Sequence, residues 1–206
     1  MADLTNWIKT TIESLGYLGI ALMMFLENLF PPIPSELIMP LAGYTASLQD
    51  SKLNIFGVFV AGLVGSVAGG LVWYYPGKLL GQDRLYAIAD RYGKWITVSS
   101  KDLVKATRWF NKQGKTAVFI GRLVPGVRTL ISVPAGFSNM PLLPFLFYTT
   151  LGSAVWVGLL TYTGYILGSQ YKLVEEYLAP VSKFVLGALI VAFVYWFIKR
   201  NRTNQK

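Results

Sequence analysis

Apolar runs alternate with polar breaks along the whole chain, and their lengths sort them into two kinds. The stretches 55–77 and 141–169 are uninterrupted by acidic residues and long enough to cross a bilayer. A third span, 181–198, carries only Lys183, near an end from which a lysine snorkels to the interface. The second kind is shorter and broken. The run 15–26 reaches only ~18 Å at ~1.5 Å per residue, against a hydrocarbon core of ~30 Å. Glu27 ends it, Pro31, Pro32 and Pro34 forbid a regular helix through the next turn, and a second short apolar piece, 37–46, is broken at Pro40 and Gly43. Residues 15–46 therefore predict a hairpin that enters the membrane and returns, tolerated only where protein or water covers its irregular backbone. Residues 116–137 repeat the logic, with AVFIG, then Arg122, Pro125-Gly126 and Arg128, then LISV, ended by Pro134 and Gly136.

Polar segments complete the order. In 1–14, Leu4, Trp7, Ile8 and Ile12 recur at helical spacing, which predicts an interfacial amphipathic helix. This segment lacks the basic start, apolar core and small-residue cleavage site of a signal peptide. Residues 81–115 set Arg84, Arg91, Lys94, Lys101, Lys105, Arg108, Lys112 and Lys115 against Asp83, Asp90 and Asp102. They predict a basic, amphipathic, cytoplasmic segment on anionic headgroups. The small-residue spacing of Gly62, Gly65 and Gly69 predicts close helix packing.

Composition agrees. The 206 residues fit one unit, 53% of them hydrophobic and only 14% charged, with a mean hydropathy of +0.46. A polytopic all-α membrane protein follows. The net charge of +9 brackets the apolar spans instead of forming a soluble basic surface, so it signals topology and not nucleic acid. The basic tail KRNRTNQK puts the C-terminus in the cytoplasm. Counting back, the 171–180 loop lies outside and the 81–115 segment inside, so the two hairpins enter from opposite faces. LENLFPPIPSELIMPLAG in one half parallels GRLVPGVRTLISVPAG in the other. Hairpin plus span, repeated with opposite orientation and followed by a C-terminal span, places a site at mid-membrane.

The chemistry lies in the charges those hairpins strand. Absence of Cys and His removes thiol nucleophiles, the usual Ser-His-Asp relay and Cys/His zinc sites, so neither an enzyme, a metal nor a cofactor is implied. Glu27 and Glu36 in one hairpin and Arg122 and Arg128 in the other each sit in apolar sequence, where a charge faces a wet cavity or a partner. The expectation is that all four meet. Arginine grips phosphate with a planar fork and stays charged when buried. Gly126 and Thr129 add backbone and hydroxyl donors beside Arg128, and a broken helix end favours an anion. A carboxyl in a partly desolvated site holds its proton more readily unless an arginine pairs with it. Exchange between Glu–Arg and phosphate–Arg outlines a proton-coupled anion carrier. Its alternative is a proton-coupled small-cation or drug antiporter using the same charges.

The segments ENLFPPIPSE and GRLVPGVRT…PAG resemble the DedA family of bacterial inner-membrane proteins, related to the VTT-domain lipid scramblases. The resemblance covers roughly residues 15–170. It implies two facing re-entrant hairpins, with Glu27, Glu36, Arg122 and Arg128 on the family's charged positions; Glu36 stands where many relatives have aspartate. It also implies return of undecaprenyl phosphate, a polyprenyl-phosphate lipid, to the cytoplasmic leaflet of the bacterial inner membrane, linked to protons. Expected partners are therefore that lipid, protons and membrane lipids, with a homo-oligomer left open.

Overall fold

The structure, a computed structural model, describes residues 2–29, 35–96, 100–125 and 127–167. The expected span 181–198, the basic tail and Gly126 lie outside the described residues. Among the described residues there are helices and no strands: α1 (Ala2–Leu29), α2 (Ser35–Ser47), α3 (Ile55–Ile96), α4 (Ser100–Leu123), α5 (Val127–Leu130), α6 (Ser132–Phe137) and α7 (Leu142–Leu167).

Three helices are long and apolar enough to cross a membrane: Thr5–Leu29, Ile55–Gln82 and Leu142–Leu167. The first reaches that length only when counted across Gly16, where φ and ψ leave the helical range. Residues 2–15 and 17–29 are thus two helical pieces, the second of them short, and Ile8 and Ile12 of the first are buried in the core. Trp7, expected on the same face, is exposed. Gly16 bends α1 with φ 57°, a left-handed value that glycine adopts without a Cβ penalty. Tyr17, just beyond the bend, accepts a hydrogen bond from the Asn54 backbone at 2.9 Å. The Asn54 side chain in turn accepts from Gly57 N–H at 2.7 Å, capping the start of α3.

Two elements are short. α2 has 13 residues and so spans ~20 Å. Val127–Phe137 is a shorter apolar helical stretch still, formed by α5 and α6. Helix α4 runs unbroken from Ser100 to Leu123, across the boundary the sequence sets at 115–116. The change from polar to apolar there alters what the helix touches and leaves its backbone intact. α3, by contrast, is two helical pieces joined at Gly81, with φ 66°, the position where the sequence sets the start of the basic segment.

Side chains fall into two apolar cores. One joins α1, α2, α3 and α7 through Ile20, Met24, Ile38, Met39, Val58 and Val157. The other joins α3, α4, α6 and α7 through Tyr74, Phe110, Val118, Ala135 and Phe145. Outside, α7 still shows large apolar residues, among them Leu143, Phe147, Leu159 and Ile166. Hydrocarbon covers such a surface without cost, as expected of a helix apolar all round.

The packing is reciprocal between halves. α3 and α7 share Gly-Ser pairs, Gly65-Ser66 and Gly152-Ser153, and matched Tyr75, Gly77 and Leu80 against Tyr162, Gly164 and Leu167. A Cβ on Gly65 would strike the Ala21 carbonyl of α1, and one on Gly152 would press on Phe119 and Arg122 of α4. A Cβ on Gly77 would meet the Val133 carbonyl of α6, and one on Gly164 would overlap Pro40 of α2. Matched glycines thus admit matched neighbours, and α3 and α7 cross with Ser66 Oγ and Ser153 Oγ 3.4 Å apart.

Candidate functional site

Helix ends bring the stranded charges inward. α1 stops at Leu29, so Glu27 and Asn28 fall in its last turn, where backbone carbonyls lack helical partners. Trp73 of α3 satisfies one of them, its indole N–H donating to the Asn28 carbonyl at 2.6 Å. α4 ends just past Arg122, and Val124–Pro125 turns the chain into α5, which carries Arg128 and Thr129. Ser132 opens α6.

Glu27 and Arg128 form a salt bridge from Arg128 Nη2 to Glu27 Oε1. They are 5% and 4% exposed, so little water screens the pair. The second carboxylate oxygen, Glu27 Oε2, is buried and has no hydrogen-bond partner among the described residues. Removing either partner would leave an uncompensated buried charge, at a cost of about 3–5 kcal/mol.

The expectation that all four charges meet needs correction. Arg122, only 1% exposed, has no carboxylate within salt-bridge distance among the described residues. It donates from Nη2 to Ser132 Oγ at 2.8 Å and, at 3.5 Å, from Nη1 to Asn28 Oδ1. Its Nε is buried without a partner among the described residues. Glu36 lies in the first turn of α2, half-buried, with the Ser35 hydroxyl donating to it at 3.4 Å and no cation paired to it among the described residues. Trp156 of α7 donates to that same Ser35 hydroxyl at 3.4 Å. The sequence therefore pairs one acid and one base correctly in kind, and the other two charges rest on neutral groups. Proximity in the chain explains the split: Glu27 and Asn28 are neighbours, so one helix end meets both arginines, Arg128 through a carboxylate and Arg122 through an amide.

Thr129 is buried beside Arg128. The broken helix end expected there is α5, four residues long, a single turn too short to supply a helix-end field. Sequence reasoning missed Asn28, Ser132 and two glycines. Gly70 of α3 lies against the Arg122 guanidinium, where a Cβ would overlap it, and Gly152 of α7 lies against the Arg122 stem, where a Cβ would come to 2.7 Å. Both read as packing glycines, and only their position against an arginine marks them. An open groove of about 600 Å³, lined by Lys115, Leu143, Pro144, Phe147 and Tyr148, holds none of the four charges. Among the described residues no group of three or more His, Cys, Asp or Glu side chains is placed to hold a metal ion.

Residues 19–166 match the family profile described as the VTT domain. The chain is 39% identical over 188 residues to a protein of Lactococcus lactis subsp. cremoris named alkaline phosphatase-like protein, covering 91% of this chain and 87% of that relative. It is 36% identical to undecaprenyl phosphate transporter A of Staphylococcus aureus, covering 93% and 94% of the two chains. Identity to the protein of the same name in Bacillus subtilis is 32%, over 98% of both. No solved structure matches the chain significantly.

Proposed function

The chain belongs to the VTT-domain family, the DedA family of membrane proteins, and from that premise we propose that it carries a polyprenyl phosphate across the bacterial cytoplasmic membrane. Undecaprenyl phosphate is the lipid named for two of its relatives. The observation that carries the reading is the buried Glu27–Arg128 pair together with Arg122, a buried guanidinium that has no carboxylate within salt-bridge distance among the described residues. An anion with a greasy tail suits such a site, because the chain stays in the bilayer while only the headgroup needs a polar passage.

Arg122 and Arg128 bind the phosphate, and Thr129 and the Gly126 backbone add donors. Glu27 is the switch: as a carboxylate it holds Arg128, and once protonated it releases the guanidinium to the phosphate. Glu36 is a second protonation site on the other arm of the same hairpin. Protons moving down their gradient then accompany the lipid toward the cytoplasmic leaflet. The reading makes the protein a carrier and not an enzyme. The phosphatase-like name of one relative requires a nucleophile–base pair, and the Cys- and His-free sequence offers none of the usual kinds.

The architecture in this reading is an inverted repeat. Hairpin 15–46 and span 55–77 form one half, and hairpin 116–137 and span 141–169 the other, with the 1–14 helix and the basic 81–115 segment at the interfaces. Span 181–198 brings the C-terminus to the cytoplasm. Support comes from the short α2 and α5–α6 arms and from the matched glycines of α3 and α7.

The test is translocation of polyprenyl phosphate by the purified chain in vesicles, with and without a pH gradient, beside Arg128→Ala. Transport that the gradient accelerates and the variant loses is expected. Proton movement driven by small cations, with no lipid translocation, would replace this reading by an antiporter.

A further inference from the structure

Unequal company separates the two arginines. Among the described residues Arg128 is paired with Glu27, whereas the hydrogen-bond partners of Arg122, at 1% exposure, are an amide oxygen and a hydroxyl. A buried cation held by neutral dipoles is unfavourable relative to a paired one. The surrounding residues keep that imbalance in place. Asn28 Nδ2 donates to the Met24 carbonyl at 2.9 Å, so the amide is oriented with Oδ1 toward Arg122. Gly70 and Gly152 let α3 and α7 close on the side chain without placing any group of their own against it. Ser132 accepts from Nη2 and retains its hydroxyl hydrogen for donation. The Nε–H, buried and unpartnered among the described residues, completes an unfilled edge of the guanidinium.

From this we infer that Asn28, Arg122 and Ser132 form the resting seat for the phosphate headgroup, separate from the Glu27–Arg128 latch. The inference rests on the carrier reading for the identity of the lipid. In the seat a phosphate oxygen takes the Nε–H edge, the Ser132 hydroxyl donates to a second oxygen, and the long contact to Asn28 is the one that yields. Asn28 is a specificity residue in this scheme: a neutral acceptor there leaves the charge of Arg122 for the ligand, and a carboxylate would consume it.

Asn28→Asp separates the seat from a merely structural pin. A pin is strengthened by a carboxylate facing Arg122, with transport preserved. A seat is filled by it. The expected result is a folded protein of equal or higher melting temperature that loses transport and no longer gains thermal stability from farnesyl phosphate, a short polyprenyl phosphate used as probe in detergent. Ser132→Ala should raise the farnesyl phosphate concentration needed for half-maximal stabilisation by ~10-fold or more, the scale of one hydrogen bond to a charged group, and Ser132→Thr should recover most of it. If Asn28→Asp does not fold, the two Ser132 variants decide alone. Wild-type responses in Asn28→Asp, or in Ser132→Ala, overturn the seat and leave the carrier reading standing. Wild-type protein stabilised by inorganic phosphate but not by farnesyl phosphate keeps the seat and discards the lipid.

Discussion

Replacing Arg128 by lysine keeps the charge but exchanges a planar five-donor fork for a compact ammonium, so the salt bridge to Glu27 persists in reduced form while bidentate grip on a phosphate is lost. Transport in vesicles should fall by ~10-fold or more in Arg128→Lys and in Arg122→Lys, with the protein still folded in the membrane. Near-normal rates in both would remove the fork from the mechanism. Glu27→Gln acts on the other partner: without a carboxylate to titrate, a pH series of transport should flatten, because Arg128 is released at every pH. A profile that tracks wild type would take Glu27 out of the coupling. At this scale the sequence was legible where charge met apolar context. Glu27 and Arg128 stand out in any hydropathy reading, and the structure joins them. Asn28, Ser132, Gly70 and Gly152 did not stand out, because a neutral polar residue or a glycine in an apolar run carries no mark of what will fold against it.

Helix contacts are set by backbone approach more than by side-chain bulk. Gly164 admits Pro40 of α2 against α7, and Gly136 admits the Tyr74 carbonyl of α3 against α6. Alanine at either position drives a Cβ into backbone that has nowhere to retreat, and about 1–3 kcal/mol of destabilisation is expected from such overpacking. Thermal melts in detergent should show both variants lowered. Gly158→Ala is the control, since its Cβ would meet only Phe59, at 3.4 Å, and should melt near wild type. Element type was readable from the apolar runs, and prolines were a poorer guide, since Pro76 sits inside α3 and Pro40 inside α2. Boundaries were less readable. α4 passes through the point where lysines give way to AVFIG, because a helix tolerates a change of solvent along its length more easily than a break in hydrogen bonding, whereas α1 kinks at Gly16, beside the boundary the sequence sets at 14–15.

Across the whole molecule, glycines of α3 meet α1 at Gly57, Gly65 and Gly69, α2 at Gly62 and α6 at Gly77, and glycines of α7 meet α4 at Gly152 and α2 at Gly164. α3 receives α1 and α6, and α7 receives α4 and α2. The contacts that hold the fold thus also bring Glu27 and Asn28 of α1 to Arg128 of α5 and Arg122 of α4. The two spans themselves meet at Ser66 and Ser153. Because the chain contains no cysteine, Ser66→Cys with Ser153→Cys introduces a single thiol pair. Oxidation should arrest lipid transport and reduction restore it. Full transport in the oxidised form would show that the crossing does not move.

That crossing also bears on how firmly the two long helices are held together. Beside the two hydroxyls Val157 lies against Gly62 and Phe59 against Gly158, so apolar side chains of α3 and α7 interlock around the polar contact. The polar contact is thus seated inside an apolar one.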